Sequence, residues 1–265
     1  MAIAGCERCP AKLIEHNWLP VGYFGNYTEA NAWVVSINPS HREFLDARGQ
    51  LLRGENTQRF SLLADDPTCE TRSTFANRHL STIIARQDNF YRRNPYRGFF
   101  GRLGAFLLQV HQVPDSEPLR PFLEPLPDSS LYCHLDIVKC ATTRRWSNLT
   151  SADRTLVRRN CQSFLAQQLK FASQLRLILV NGRTAMEGVG EAFTEIGFRI
   201  RPQLVSYHGH NATLWIGESP QHPTIRFLGW SANVVNGHMT HAEKKSLAEL
   251  VRTALARLHE QRLPS

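Results

Sequence analysis

Asn31-Ala-Trp33-Val-Val-Ser-Ile37-Asn38-Pro39 is the stretch on which the fold turns. Its apolar run from Trp33 to Ile37 has Asn31 before it and Asn-Pro after it. That is the length and punctuation of a short strand buried on both faces, with a loop at its carboxyl end. Moving outward, the same signature returns at Leu131 to Val138 and at Leu175 to Val180, the latter closing on Asn181-Gly182. Between these runs the apolar residues fall at helical spacing: Phe100, Leu103, Phe106, Leu107 and Val110, then Leu156, Cys161, Phe164, Leu165 and Leu169 within 152 to 170, then a short helix from about Thr184. Three further strands are expected at Gln203 to Tyr207, Thr213 to Ile216 and Thr224 to Trp230, and a closing amphipathic helix at Ala242 to Leu258. Strands that alternate with helices predict a mainly parallel sheet covered on both faces, an α/β three-layer αβα sandwich.

Two stretches interrupt this rhythm. Pro114 to Pro127 holds five prolines and reads as a loop. Residues 41 to 95 are rich in Arg, Asn and Asp and show helical spacing only over Phe75 to Ile84, so they read as an insertion or lid within one domain spanning 1 to 265. Gly101 and Gly104 in the helix from Phe99 would permit close packing or backbone approach.

At 42% hydrophobic residues, 265 residues suffice for one well-filled core. The net charge of +8 rests on 31 Lys and Arg, of which only 5 are Lys. Arginine binds phosphate bidentately and stacks on bases, so this balance favours a nucleic-acid partner over charge for solubility alone. No basic leader precedes an apolar run, and no run approaches the ~18 residues of a membrane-spanning helix. A cytoplasmic monomer with no membrane partner is therefore expected. Six cysteines without such a leader read as thiols or metal ligands rather than as a disulfide framework.

In a parallel sheet ligands bind beyond the carboxyl ends of the strands, where Asn38, the Asp136 to Cys140 segment and the Ser231 to His238 segment would lie. Three segments in one order add a resemblance. Cys6-Glu-Arg-Cys9 near the amino end looks like the opening C-x2-C of the iron–sulfur type of uracil-DNA glycosylase. Arg97-Gly-Phe99-Phe-Gly101-Arg-Leu-Gly104 is similar to that family's R-P-F-x-G-x-x-G segment. The succession Tyr132 to Cys140, Cys161-Gln-Ser-Phe164-Leu165 and Leu177 to Ala185 follows its strand, Lys-Cys, Cys-x-x-Phe-Leu, strand, Gly-x-x-Ala order. The resemblance leaves 41 to 95 and 186 to 222 unplaced. The loop Ser36-Ile-Asn38-Pro39-Ser40 departs from it and is closer to the G-[IM]-N-P-G loop of mismatch-specific and single-strand-selective glycosylases, so the chain looks like a divergent branch of the uracil-DNA glycosylase superfamily.

The resemblance implies an enzyme that flips uracil or a related deaminated base out of DNA and hydrolyses its N-glycosidic bond, the opening step of base excision repair. Asn38 would orient the attacking water, although an Asn-Pro pair can equally just end a strand. His238, with Asn233 as rival, would stabilise the charge developing on O2 of the departing base; a surface-loop histidine is the bland reading. Phe99 would stack on the base, leaving Phe100 to the core. Asp136 stands where the family has an Asn that reads uracil, and a protonated Asp could donate to O4 and accept from N3–H as that amide does. Other bases stay open. Cys6, Cys9, Cys140 and Cys161 match four ligands of a [4Fe–4S] cluster, with zinc as the alternative, in a structural role. Cys69 and Cys133 read as ordinary thiols. Arg97, Arg102, Arg144 and Arg145, with Arg92, Arg93, Arg158 and Arg159 nearby, would form a phosphate-binding rim, and Met239 a wedge filling the gap left by the flipped base. A non-catalytic or covalently trapping DNA-binding relative is the competing expectation. No lysine falls at a position suited to Schiff-base chemistry.

Overall fold

A computed structural model describes residues 3 to 114, 116 to 235 and 237 to 260. Six strands form one sheet in the order β2-β1-β3-β6-β5-β4: β1 Ala32–Ser36, β2 Tyr132–Asp136, β3 Leu177–Asn181, β4 Arg199–Tyr207, β5 His210–Glu218 and β6 Arg226–Trp230. The first four in that order run parallel, while β5 and β4 close the edge as an antiparallel hairpin. All residues of β1, β2 and β3 are buried, as continuous apolar runs require when helices cover both faces.

The helices are α1 Arg72–Asp88, α2 Phe90–Arg93, α3 Arg97–Val110, α4 Arg120–Leu123, α5 Ser151–Phe171, α6 Arg183–Thr194 and α7 His241–Glu260. Side-chain alternation splits the core in two. Ala32, Val34, Leu179 and Leu228 face Phe100, Leu103 and Leu107 of α3 and Leu247 and Val251 of α7. Trp33, Val35, Ile178 and Val180 face Leu165 and Leu169 of α5 and Met186, Val189 and Phe193 of α6. The result is the expected αβα sandwich.

Departures from expectation have local causes. The strands β4 and β5 each run nine residues, longer than their apolar stretches, because β4 is an exposed edge and needs no apolar alternation. Thr71 caps α1 by accepting from the Thr74 amide, which starts that helix three residues before its first apolar position, Phe75. Residues 41 to 95 place Phe44, Phe60 and Phe90 in the same buried cluster as α3 and α7. Of the two α3 glycines, Gly104 is the one in close approach: a Cβ there would fall 1.7 Å from the Pro118 carbonyl oxygen, whereas at Gly101 it would meet only Arg97 at 4.0 Å.

Candidate active site and metal centre

The loops after β1 and β3 leave on opposite faces, toward α3 and toward α6, so a topological switch point lies between these strands. Asn38 stands beyond β1. Its Nδ2 donates to Thr142 Oγ1 at 3.3 Å and to the Pro39 carbonyl at 3.1 Å, and no described donor reaches its Oδ1. The amide is therefore held by its nitrogen with its oxygen left over to accept.

Beneath this end of the sheet lies a knot of buried polar groups without partners. Strand alternation sends Ser36, His134 and Asp136 to the α3 face, and Glu43 enters from a single 3-10 turn, His41–Glu43, just after the Asn-Pro loop. Among the described residues, Ser36 Oγ, Glu43 Oε2, Tyr91 Oη, Asp136 Oδ1 and both ring nitrogens of His134 find no hydrogen bond. His134 Nε2 and Asp136 Oδ1 stand 3.8 Å apart, too long for one. Native interiors seldom leave buried polar atoms unpaired, and each costs about 1–3 kcal/mol, so this concentration is a candidate ligand site.

Burial sets the protonation of these groups. It pushes Glu43 up to about 8; the Arg59 guanidinium opposes and Asp136 adds to the rise. Asp136 is likewise raised far above the carboxylate range by burial, against the pull of Lys139. Lys139, wholly buried, is lowered by the same desolvation and donates to the Gly22 carbonyl at 3.3 Å. His134 falls to about 3 and stays neutral. The knot therefore presents neutral carboxyl groups at pH 7, each with one donor and one acceptor.

Phe99 and Phe100 differ in burial. Phe100 is buried, whereas Phe99 is half-buried with its ring edge-on to Phe100 at 4.9 Å and to His134 at 5.4 Å. Glu43 and His134 had no assigned role in the sequence. His134 could have been noticed from the His-Leu-Asp alternation, which puts it beside Asp136, but nothing near Glu43 marks it as interior.

The last loop places its two rivals differently. Asn233 Oδ1 accepts from Asn181 Nδ2 at 3.2 Å and from the Val235 amide at 3.3 Å, and its Nδ2 has no described acceptor. This anchors Asn233 to the end of β3, next to Gly182, whose φ of +92° suits glycine at the turn into α6. His238 is exposed, with no bond to a described residue, and Met239 is half-buried against the core. Arg102 donates to the Val235 carbonyl at 3.0 Å, tying α3 to this loop. Arg97 pairs with Glu117 at 3.0 Å, both exposed, and Arg144 and Arg145 lie on the surface. The knot is covered in this state. Cavities of about 400 Å³ beside His111 and Arg252 and of about 580 Å³ beside Arg86, Arg92 and Arg93 open elsewhere.

All six cysteines are buried and free. Cys6 and Cys9 from the amino-terminal tail meet Cys140, after β2, and Cys161, on α5, in one cluster with Ile14, Val157 and Phe164. Cys9 is drawn down by hydrogen bonding from Cys140 and Cys161, and those two are raised in return, so three sulfurs converge. Further donors face the sulfurs: Lys139 N to Cys161 at 3.4 Å, Asn160 Nδ2 to Cys9 at 3.8 Å and Arg72 Nη1 to Cys140 at 3.8 Å. Cys69, read as an ordinary thiol, instead joins Asp66 and His79 in a group able to hold a metal, with ligand atoms within 4.8 Å of one another. There Asp66 is already bonded to His79 at 2.7 Å and to Arg78 at 3.0 Å. Cys133 is buried and bonded to the Phe24 carbonyl at 3.4 Å.

The chain matches no protein-family model and no curated protein. What it does rests on these residues. No helix among the described residues is long and apolar enough to cross a membrane.

Proposed function

We propose that the protein is a monofunctional DNA glycosylase that accepts uracil, or a related deaminated base, flipped out of DNA and hydrolyses its bond to deoxyribose. The observation that carries this reading is the buried polar knot of Ser36, Glu43, His134 and Asp136 near the carboxyl ends of β1 and β2, with the half-buried Phe99 ring edge-on to His134 and Asn38 two residues beyond Ser36. A base moving into that knot would supply the missing partners. A neutral Asp136 donates to O4 and accepts from N3–H, the pairing that a lactam edge requires. Phe99 stacks on the ring. Because the knot is closed in the free protein, base entry displaces its cover, and the unpaired groups gain partners as it opens.

Hydrolysis makes an oxocarbenium-like sugar and an anionic base. The free Oδ1 of Asn38 holds a water by accepting one of its protons, leaving the water's lone pair for the anomeric carbon; an amide positions that water and does not deprotonate it. Negative charge on O2 calls for a fixed donor. Both side chains are exposed, but Asn233, whose side-chain oxygen is already held by two bonds, is better preorganised than His238. The arginines near the site contact phosphate.

The four-cysteine centre suits a [4Fe–4S] cluster. Tetrahedral zinc sets thiolates about 3.8 Å apart, given Zn–S of about 2.3 Å. Cys9, Cys140 and Cys161 already converge, so zinc stays the alternative occupant. The residues fit a cluster: four thiols from three segments, buried, with N–H donors to sulfur. Such a group would fasten the tail to β2 and α5 and takes no part in hydrolysis.

The deciding experiment incubates the protein with labelled DNA carrying one uracil, and in parallel hypoxanthine or xanthine, and reads strand breaks after alkali. Release of uracil that falls by about 10²-fold or more in Asn38→Ala supports the mechanism. Release of a deaminated purine alone would move the specificity. DNA binding without release of any base would favour the non-catalytic or trapping relative. Asn233→Ala and His238→Ala, assayed side by side, show which one serves O2.

A further inference from the structure

Arg72 opens α1, in the segment 41 to 95 that no resemblance covers, and it is wholly buried. Arginine is almost never fully buried without an anionic partner, and here no described carboxylate forms an ion pair with its guanidinium. Its donors go instead to three main-chain carbonyls, Cys6 at 3.2 Å, His16 at 3.0 Å and Glu15 at 2.8 Å, and to the sulfur of Cys140 at 3.8 Å. Carbonyl dipoles satisfy the donors but leave the charge uncompensated. The one contact that becomes formally anionic is the sulfur. Four thiolates outweigh the positive charge of zinc(II), and also that of a resting cubane core, so a loaded centre is net anionic in either case.

We propose that Arg72 is the resident counter-ion of a net-anionic metal centre held by Cys6, Cys9, Cys140 and Cys161. This rests on the four-cysteine reading above. It explains how a long polar segment is fixed to the body at its middle: the same guanidinium binds both the tail that carries Cys6 and the sulfur after β2. It also separates Arg72 from the ligands themselves. Arg72 would act through charge and an N–H···S bond, the outer contacts that tune a metal site.

The alternative is a clamp, in which Arg72 only joins three carbonyls by its fork geometry. Lysine keeps the charge but loses the fork, whereas glutamine loses both. Wild type, Arg72→Lys and Arg72→Gln are purified without oxygen and compared as loaded proteins. Iron, sulfide and zinc content are measured first, then the rate of metal loss to a chelator and, for an iron centre, the midpoint potential. The counter-ion role expects Arg72→Gln to lose metal about 10-fold faster or more, with Arg72→Lys close to wild type, and the potential to drop in Arg72→Gln as the reduced, more negative state loses its cation. Metal loss from Arg72→Lys as fast as from Arg72→Gln, or no change in either, overturns it in favour of the clamp. Should Arg72→Gln not fold, Arg72→Met, uncharged and of similar length, replaces it. A wild-type protein holding no stoichiometric metal refutes the four-cysteine reading itself, before any variant is compared.

Discussion

Asp136 is covered on every side and keeps its proton because burial penalises the carboxylate more than Lys139 favours it. A lactam edge needs that proton. On the proposed glycosylase reading, base recognition should therefore weaken as pH rises and the buried carboxyls ionise, with Glu43 losing its proton near 8. Asp136→Asn supplies a donor and an acceptor at every pH, so it is expected to retain uracil release and to flatten the alkaline fall; a pH–rate profile of the two proteins reads this directly. Glu43 has a separate consequence for stability. The native state holds its proton up to about 8, while the unfolded chain releases it near 4.5. Between those values the native state binds more protons, so stability falls as pH rises through the window and levels off above it. Glu43→Gln should remove Glu43's share of that slope, leaving the share of the likewise raised Asp136, and gain at most about 3 kcal/mol at pH 7, since each pKa unit is about 1.4 kcal/mol. Urea unfolding at pH 5, 7 and 8 measures it.

Among the elements, α3 is held at two points: its Gly104 lies under the Pro118 carbonyl and its Arg102 holds the loop after β6. Gly104→Ala puts a methyl where backbone already is, and neither helix nor loop can yield without disturbing Phe122, 3.3 Å from the same position. A loss of about 3 kcal/mol or more is expected, at the upper end for overpacking. Gly190, inside α6, is the matched control: nothing lies within 4 Å of its added Cβ. There the Ala variant should gain about 0.5–1 kcal/mol from helix propensity. Thermal unfolding of the pair tests whether close approach or glycine content sets the stability of these helices.

The whole molecule carries a net charge of +8, almost all its cations being arginine. If about four of them neutralise phosphates, DNA affinity should fall about 10²-fold between roughly 50 and 200 mM salt. A fluorescence-anisotropy titration across that range measures the slope, and a flat response would remove the arginines from the interface. The amino-terminal tail joins the body through Cys6, Cys9 and the Arg72 carbonyl bonds. Cys9→Ser should therefore expose the tail to limited proteolysis before the sandwich unfolds.

The sequence by itself determined the layers and the order of the strands' chemistry. Buried parallel strands must be continuous apolar runs, and amphipathic helices must repeat at their own period, so Trp33 to Ile37, the α3 pattern and the ends of β1 and β2 were legible, with Asn38 and Asp136 where loops or ligands belong. That Cys6, Cys9, Cys140 and Cys161 share one cluster was anticipated from the order of their segments. The tertiary structure alone decided that Glu43, His134 and Asp136 share one sealed interior, that Cys69 stands beside Asp66 and His79, and that Arg72 lies against Cys140. The longest of those separations, 93 positions from Glu43 to Asp136 and 68 from Arg72 to Cys140, are closed by packing alone. Local periodicity records whether a side chain faces inward; it holds no record of which distant side chain it will meet there.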